Sequence, residues 1–290
     1  MAISAIPSSK PVAQAAVEVI TPETVPVGAG VLQRDVILPP DATRWDPFIL
    51  LGRDRFEQGA FDWHPHAGFA TFIYVVAGRL RHQDTLGGQG ELGPGDAQWM
   101  VAGSGVWHDE NPVAGEVDGV QLWFNLPAAH KGEAPFHQDL RRPEMPVWTT
   151  EGIEATVYAG RLGDATGPAR LFSKALLAHL DVSGAGRLPI PAGMVACLLV
   201  LKGQVTIGGQ VVPAGSAGWI PAASPAAEVD LEGEASVLLV AGEPHAEPVA
   251  LGMPFVMNTD DELAAAFADL KAGRLGRPPV GVPSGAPTGT

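Results

Sequence analysis

A single cysteine, Cys197, in a chain of 290 residues leaves no partner for an internal disulfide. It lies in the apolar run "MVACLLVL", which predicts a buried small hydrophobe rather than a reactive thiol. Charge is scarce too, at 17% of residues, and what there is leans acidic. Eighteen basic residues against 32 acidic ones give a formal net charge of −14. Such a surface repels phosphate backbones, and no Lys/Arg cluster provides a local exception, so direct nucleic-acid binding is not expected. No apolar run approaches the length of a membrane span. The N-terminal "MAISAIPSSKPVAQAAVEVI" lacks a basic stretch followed by a continuous apolar core, so no signal peptide is read and a cytoplasmic location is the expectation.

What the chain has in quantity is glycine (36) and proline (27), a mixture that suits short strands joined by tight turns better than a helical bundle. The length suggests two domains. From about Val31 to Phe124 the chain reads as short β runs, "VVAGRLRHQD", "GELGPGDAQWM" and "GVQLWFNL", each closed by Gly, Pro or Asp. A second series follows from about Glu154 to Val240. One amphipathic helix is expected late, in "NTDDELAAAFADLKAG". There Thr259 and Glu262 form a capping box, Leu263, Ala266, Phe267 and Leu270 one apolar face, and Gly273 the stop.

The two β series superpose. "HPHAGFATFIYVVAG" falls on "PIPAGMVACLLVLKG", placing Gly78 on Gly203 at an offset of 125, and "PGDAQWM" falls on "AGSAGWI", placing Trp99 on Trp219 at an offset of 120. A weak repeat of this kind predicts two copies of one β-barrel. The copies differ where chemistry would sit. His64 and His66 become Pro189 and Pro191, and His108 and Glu110 become Glu228 and Asp230. The second copy therefore reads as a barrel without a site.

In the first copy, side chains two apart on a strand point to one face, so His64 and His66 would point together, as would His108 and Glu110 in "VWHDENP". One H-x-H alone is commonly solvent-facing or hydrogen-bonded. The second pair is what makes a metal site the better reading. Three nitrogens and one oxygen suit a borderline divalent ion, Fe, Mn, Ni, Cu or Zn, and four ligands on an octahedral ion leave two positions open. His82, His130, His137, His179 and His245 lack such pairing and are assigned surface or structural roles. Trp63, Phe69, Phe72, Tyr74, Trp99 and Trp107 are expected in the core, with Phe72 and Tyr74 sharing the parity of His66 and so placed to line the cavity.

The stretch "HPHAGFATFIYVVAGRLRHQDTLGGQGELGPGDAQWMVAGSGVWHDENP" resembles the signature region of the pirin family, bicupin proteins of the cupin superfamily. "LWFNLP", "AGEPHAEPVALGMPFVMNTDDEL" and "GRLG" extend the resemblance in order, from about Asp46 to Gly276. It implies an all-β fold of two stacked antiparallel β-barrels, each a double-stranded β-helix, with a short C-terminal helix. On that pattern residues 1–145 form the N-terminal barrel with an arm and the metal site, and 146–250 the barrel without one. Residues 251–276 pack back on the first barrel, and 277–290 form a disordered tail. The resemblance also implies one divalent transition metal, usually iron, with Mn, Ni, Co, Cu or Zn as alternatives, held by His64, His66, His108 and Glu110.

Two activities follow from the same resemblance. One is a quercetin 2,3-dioxygenase-like enzyme acting with O₂ on a flavonol or a smaller enol or catechol, Glu110 serving as general base. The other is a non-enzymatic, metal- or redox-responsive regulator that binds a protein partner. Where family members read "HPHRGFET", this chain has Ala67 and Ala70, which leaves Glu110 as the sole carboxylate candidate and predicts an altered pocket wall.

Overall fold

The computed structural model describes residues 16–27, 31–39, 42–222 and 227–279. Every strand pairing within its sheets is antiparallel. The first half is built on a seven-stranded sheet in the order Phe136–Leu140, Ala97–Val101, Phe69–Ala77, Glu116–Asn125, Phe48–Glu57, Leu32–Ile37, Val25–Pro26. A four-stranded sheet lies beside it, in the order His64–His66, Val106–Pro112, Leu80–Asp84, Gln89–Leu92.

The second half is one eight-stranded sheet centred on three long strands, Val195–Ile207, Ala227–Gly242 and Ala175–Ile190. Its outer strand Glu18–Ile20 comes from the N-terminal arm, which pairs with Ala217–Ile220.

The β-rich character and the repeat are both visible in the pairing. His64 lies opposite His108 in the first half, and Pro189 lies opposite Glu228 in the second, the same register at the offsets of 125 and 120. Closed barrels, however, are not formed. In the first half the strands break at 58–63, at Gly78-Arg79 and at 113–115, so the inner strands separate into a sheet of their own. Gly78 makes one of those breaks with φ +84°, where a Cβ would lie 2.3 Å from the Glu116 carbonyl oxygen. In the second half the strands run on through Gly203 and Gly233, but the sheet ends on Glu18–Ile20 and Val147–Thr150 without joining. The first half is thus divided between two sheets, and the second is one open sheet.

The halves share one core. Phe48, Phe72, Trp99 and Phe124 from the first pack with Tyr158, Leu199, Trp219 and Val240 from the second. Strand Phe69–Ala77 is buried on both faces, which accounts for its nearly unbroken apolar sequence. Ala70, Phe72 and Tyr74 look into the shared core, while Ile73 and Val75 look towards the small sheet. This corrects the expectation for Phe72 and Tyr74. Gly68, at φ +85° between His66 and Phe69, interrupts the two-residue alternation.

Cys197 is a free thiol in the same shared core, and burial pushes it up to about 12. The late helix spans Asp260–Lys271, with Thr259 and Glu262 forming the capping box in both directions. Its Ala266, with Leu263 and Leu270, packs on Trp63, Ala67, Trp107 and Phe255. The terminal tail from residue 280 on lies outside the described residues. No helix among those described is long and apolar enough to cross a membrane.

Candidate metal centre

Strand His64–His66 is too short to stand alone and is held by Val106–Pro112, with Val106 opposite His66 and His108 opposite His64. The alternation read from the sequence survives here. His64, His66 and His108 converge, with ring centroids 4.7, 4.3 and 4.9 Å apart, and one ligand nitrogen of each falls within 4.8 Å of the other two. Glu110 falls in a second group that shares only His108 with the first: its carboxylate, His108 and His82 are mutually within 4.8 Å, and it is not grouped with His64 or His66. Asp109 is tied off elsewhere by the Asn111 amide at 2.6 Å.

Backbone carbonyls set the ring orientations. His64 Nδ1 donates to the Asp62 carbonyl oxygen at 2.8 Å, and His66 Nδ1 to the Pro254 carbonyl oxygen at 3.3 Å. Each ring is left with an unprotonated Nε2, the tautomer a metal-ligating histidine needs. His108 is fully buried, and neither of its ring nitrogens has a hydrogen-bond partner. A buried imidazole with two orphaned nitrogens costs about 1–3 kcal/mol per unsatisfied group, and a cation at the convergence point would remove part of that cost.

Electrostatics favour the same occupant. Burial, aided by the neighbouring rings, holds His66 and His108 well below the usual imidazole range, and burial lowers His64 as well. All three are thus neutral donors at pH 7. Glu110 is pushed up to about 8 by burial and by the nearby Asp109 and Asp54 carboxyls. Four donors, three of them uncharged and the fourth reluctant to ionise without a cation, fit a divalent transition ion.

A side-chain group that sequence reasoning missed adjoins this one. His82, with no exposed surface, has its ring 5.5 Å from His108 and its Nε2 3.4 Å from Asp84 Oδ2. His137 reaches the same oxygen at 2.8 Å, and Asp84 Oδ1 accepts from the Leu86 and Gly88 amides. Burial pushes Asp84 up, but these four donors outweigh it and keep the carboxylate well below its usual range. His82 is therefore no surface residue; "RHQD" carries the same x-alternation as the ligand pairs.

The apolar shell is supplied by the C-terminal segment. Val256 N–H donates to the Ala67 carbonyl, and buried Lys131 donates to the Gly68 and Val256 carbonyls and to Asn125 Oδ1. Ala67 packs among Trp63, Trp107 and Phe255, where a longer side chain would disturb the contact. Ala70 points away, into the shared core. Phe69 and Trp123 flank His66 at 4.9 and 5.1 Å. The counterparts of the ligands in the second half, Glu228 and Asp230, lie at the surface around Arg187.

Comparison with known proteins agrees with this architecture. The Pirin family model matches residues 36–124, and the model of the pirin C-terminal cupin domain matches 177–276. A pirin-like protein of Caulobacter vibrioides is 36% identical over 266 residues, covering 86% of this chain and 94% of its own. Human pirin is 34% identical over 264 residues, covering 86% and 89%. Among solved structures, a quercetin 2,3-dioxygenase from Acinetobacter baumannii superposes with a TM-score of 0.81 at 27% identity, covering 91% of this chain and 99% of its own. The chain belongs to the pirin family and has its bicupin fold.

Proposed function

We propose that this protein is a metal-dependent dioxygenase of the quercetin 2,3-dioxygenase type, acting on flavonols or similar enol and catechol substrates. The observation that carries the reading is the convergence of three neutral imidazoles, two of them buried, with Glu110 beside His108 and both nitrogens of His108 left without partners. The dioxygenase from Acinetobacter baumannii that shares the fold supports the choice of reaction.

His64, His66, His108 and Glu110 would hold the ion, which we take to be Fe(II). When bound, it would supply Lewis acidity towards a substrate hydroxyl and redox chemistry with O₂. The protein's own contribution is then positioning and proton handling. His64 and His66 are fixed by the Asp62 and Pro254 carbonyls, so the donor set is organised before the substrate arrives. Glu110 has a second carboxylate oxygen, which would accept the proton of an enolic hydroxyl once the cation has displaced the carboxyl's own proton. Phe69 and Trp123 beside His66 keep water from that side of the centre.

The test is anaerobic loading with Fe(II), Mn, Ni, Co, Cu or Zn, followed by quercetin and O₂ while the flavonol absorbance is recorded. Turnover with at least one ion is expected, lost with metal content in His66→Ala. Absence of turnover with every ion removes the flavonol reading, and metal retained by His66→Ala removes the ligand assignment.

A further inference from the structure

A cavity lined by none of the residues of the histidine cluster lies in the seam between the two halves. Its volume is about 350 Å³, within the range of small-molecule sites. Arg53 and Tyr74 come to it from the first half, Arg142 from the connecting segment, and His179, Lys202 and Ser236 from the second. The chain as a whole carries 18 basic residues against 32 acidic ones, yet this lining holds three cations and one carboxylate, Asp181.

How those charges are matched decides what the cleft can take. Arg53 is spent on Asp118, in a bidentate pair at 2.7 and 2.8 Å, and on the Leu201 carbonyl. It is a fixed wall. Arg142 meets Asp181 at 3.1 Å, but both side chains are about half exposed, so the pair is worth little and is free to rearrange. Lys202 has no ion pair among the described residues and is exposed. At the floor, His179 is almost fully buried. Its Nε2 lies 2.7 Å from Ser236 Oγ, and its Nδ1 has no hydrogen-bond partner, with Asp181 the nearest acid at 3.7 Å. The His179 ring lies nearly parallel to Tyr74, at an interplanar angle of 10° with centroids 5.5 Å apart.

The cleft thus offers a buried imidazole nitrogen without a partner, a hydroxyl beside that ring, and an exposed ammonium at the rim. We propose that it is a binding site for a small organic anion presenting carboxylate or phosphate oxygens. The anion lies against Lys202 and Arg142 and reaches the His179–Ser236 pair. The anion replaces Asp181 as the partner of Arg142, and the unpaired charge of Lys202 offsets one unit of the anion's own. Because the donors come from both halves, the ligand braces the seam, and its binding stabilises the folded chain by linkage. The site is independent of the metal centre and of the reaction proposed there.

Isothermal titration of the full chain with citrate, and separately with inorganic pyrophosphate, tests this at matched ionic strength. One equivalent of at least one anion should bind, with a concentration-dependent rise in Tm. Citrate binding alone identifies a carboxylate ligand, and pyrophosphate binding alone a phosphate. Lys202→Ala and Arg142→Ala should each weaken binding about tenfold or more, while Lys174→Ala, which removes an exposed pair with Glu243, should not. His66→Ala must bind as the parent does. The proposal is overturned if neither anion binds, if the Lys202→Ala/Arg142→Ala double variant binds like the parent, or if binding vanishes in His66→Ala, since that would place the anion on a metal ion.

Discussion

Metal affinity should rise with pH in a manner set by one residue. Without a cation, Glu110 is pushed up to about 8 by burial and then by Asp109 and Asp54, while burial lowers His64 and holds His66 and His108 well below the usual imidazole range. A divalent ion takes the ionised carboxylate, so below pH 8 its binding must expel the Glu110 proton. The sign follows: raising the pH removes a competitor, and affinity increases until the carboxyl is ionised anyway. With a pKa of 8, the factor between pH 6 and pH 9 is about 90-fold, or about 2.7 kcal/mol, approaching tenfold per pH unit at the acid end and flat at the basic end. At pH 7 the proton released is about 0.9 per ion bound.

Calorimetry with Mn(II) in two buffers of different ionisation enthalpy measures that number directly. Glu110→Gln should bind more weakly and show no slope. A flat profile in the parent protein would mean that Glu110 is not a ligand, and release of two protons would mean that an imidazole starts out charged.

Three further perturbations probe the frame around the centre. Gly68→Ala forces a side chain onto a φ of +85° and to within 1.9 Å of the Val256 carbonyl oxygen; it should lose at least about 1–3 kcal/mol in denaturant melts and weaken metal binding in parallel. Lys131→Met leaves three buried acceptors unsatisfied and should cost about 3–5 kcal/mol, a larger loss than any exposed lysine shows on the same melts. Thr259→Ala removes the helix cap, costing about 1 kcal/mol and raising hydrogen exchange in Asp260–Lys271, while metal content stays unchanged.

The sequence made the ligand pairs legible because they sit on short strands, where a spacing of two needs only the backbone pleat to become a shared face. The late helix was legible for a similar reason, since Thr259 and Glu262 act within one turn. What escaped depends on contacts between distant segments. Asp84 and His137 are 53 positions apart and meet only through the register of neighbouring strands. The facing of Phe72 and Tyr74 was misread because one left-handed glycine, Gly68, resets the alternation between them and His66. Barrel closure failed as an expectation for a related reason: the repeat reports which strands are equivalent, but whether their edges meet is decided by breaks such as Gly78, and by an arm strand, Glu18–Ile20, that takes an edge of the opposite half.

Anomalous diffraction at the absorption edge of a loaded transition ion tests the central claim most directly. One peak is expected, about 2.0–2.2 Å from His64 Nε2, His66 Nε2, a His108 ring nitrogen and a Glu110 oxygen. A crystal loaded under the same conditions with no peak there, or with its peak among His82, Asp84 and His137, would contradict it.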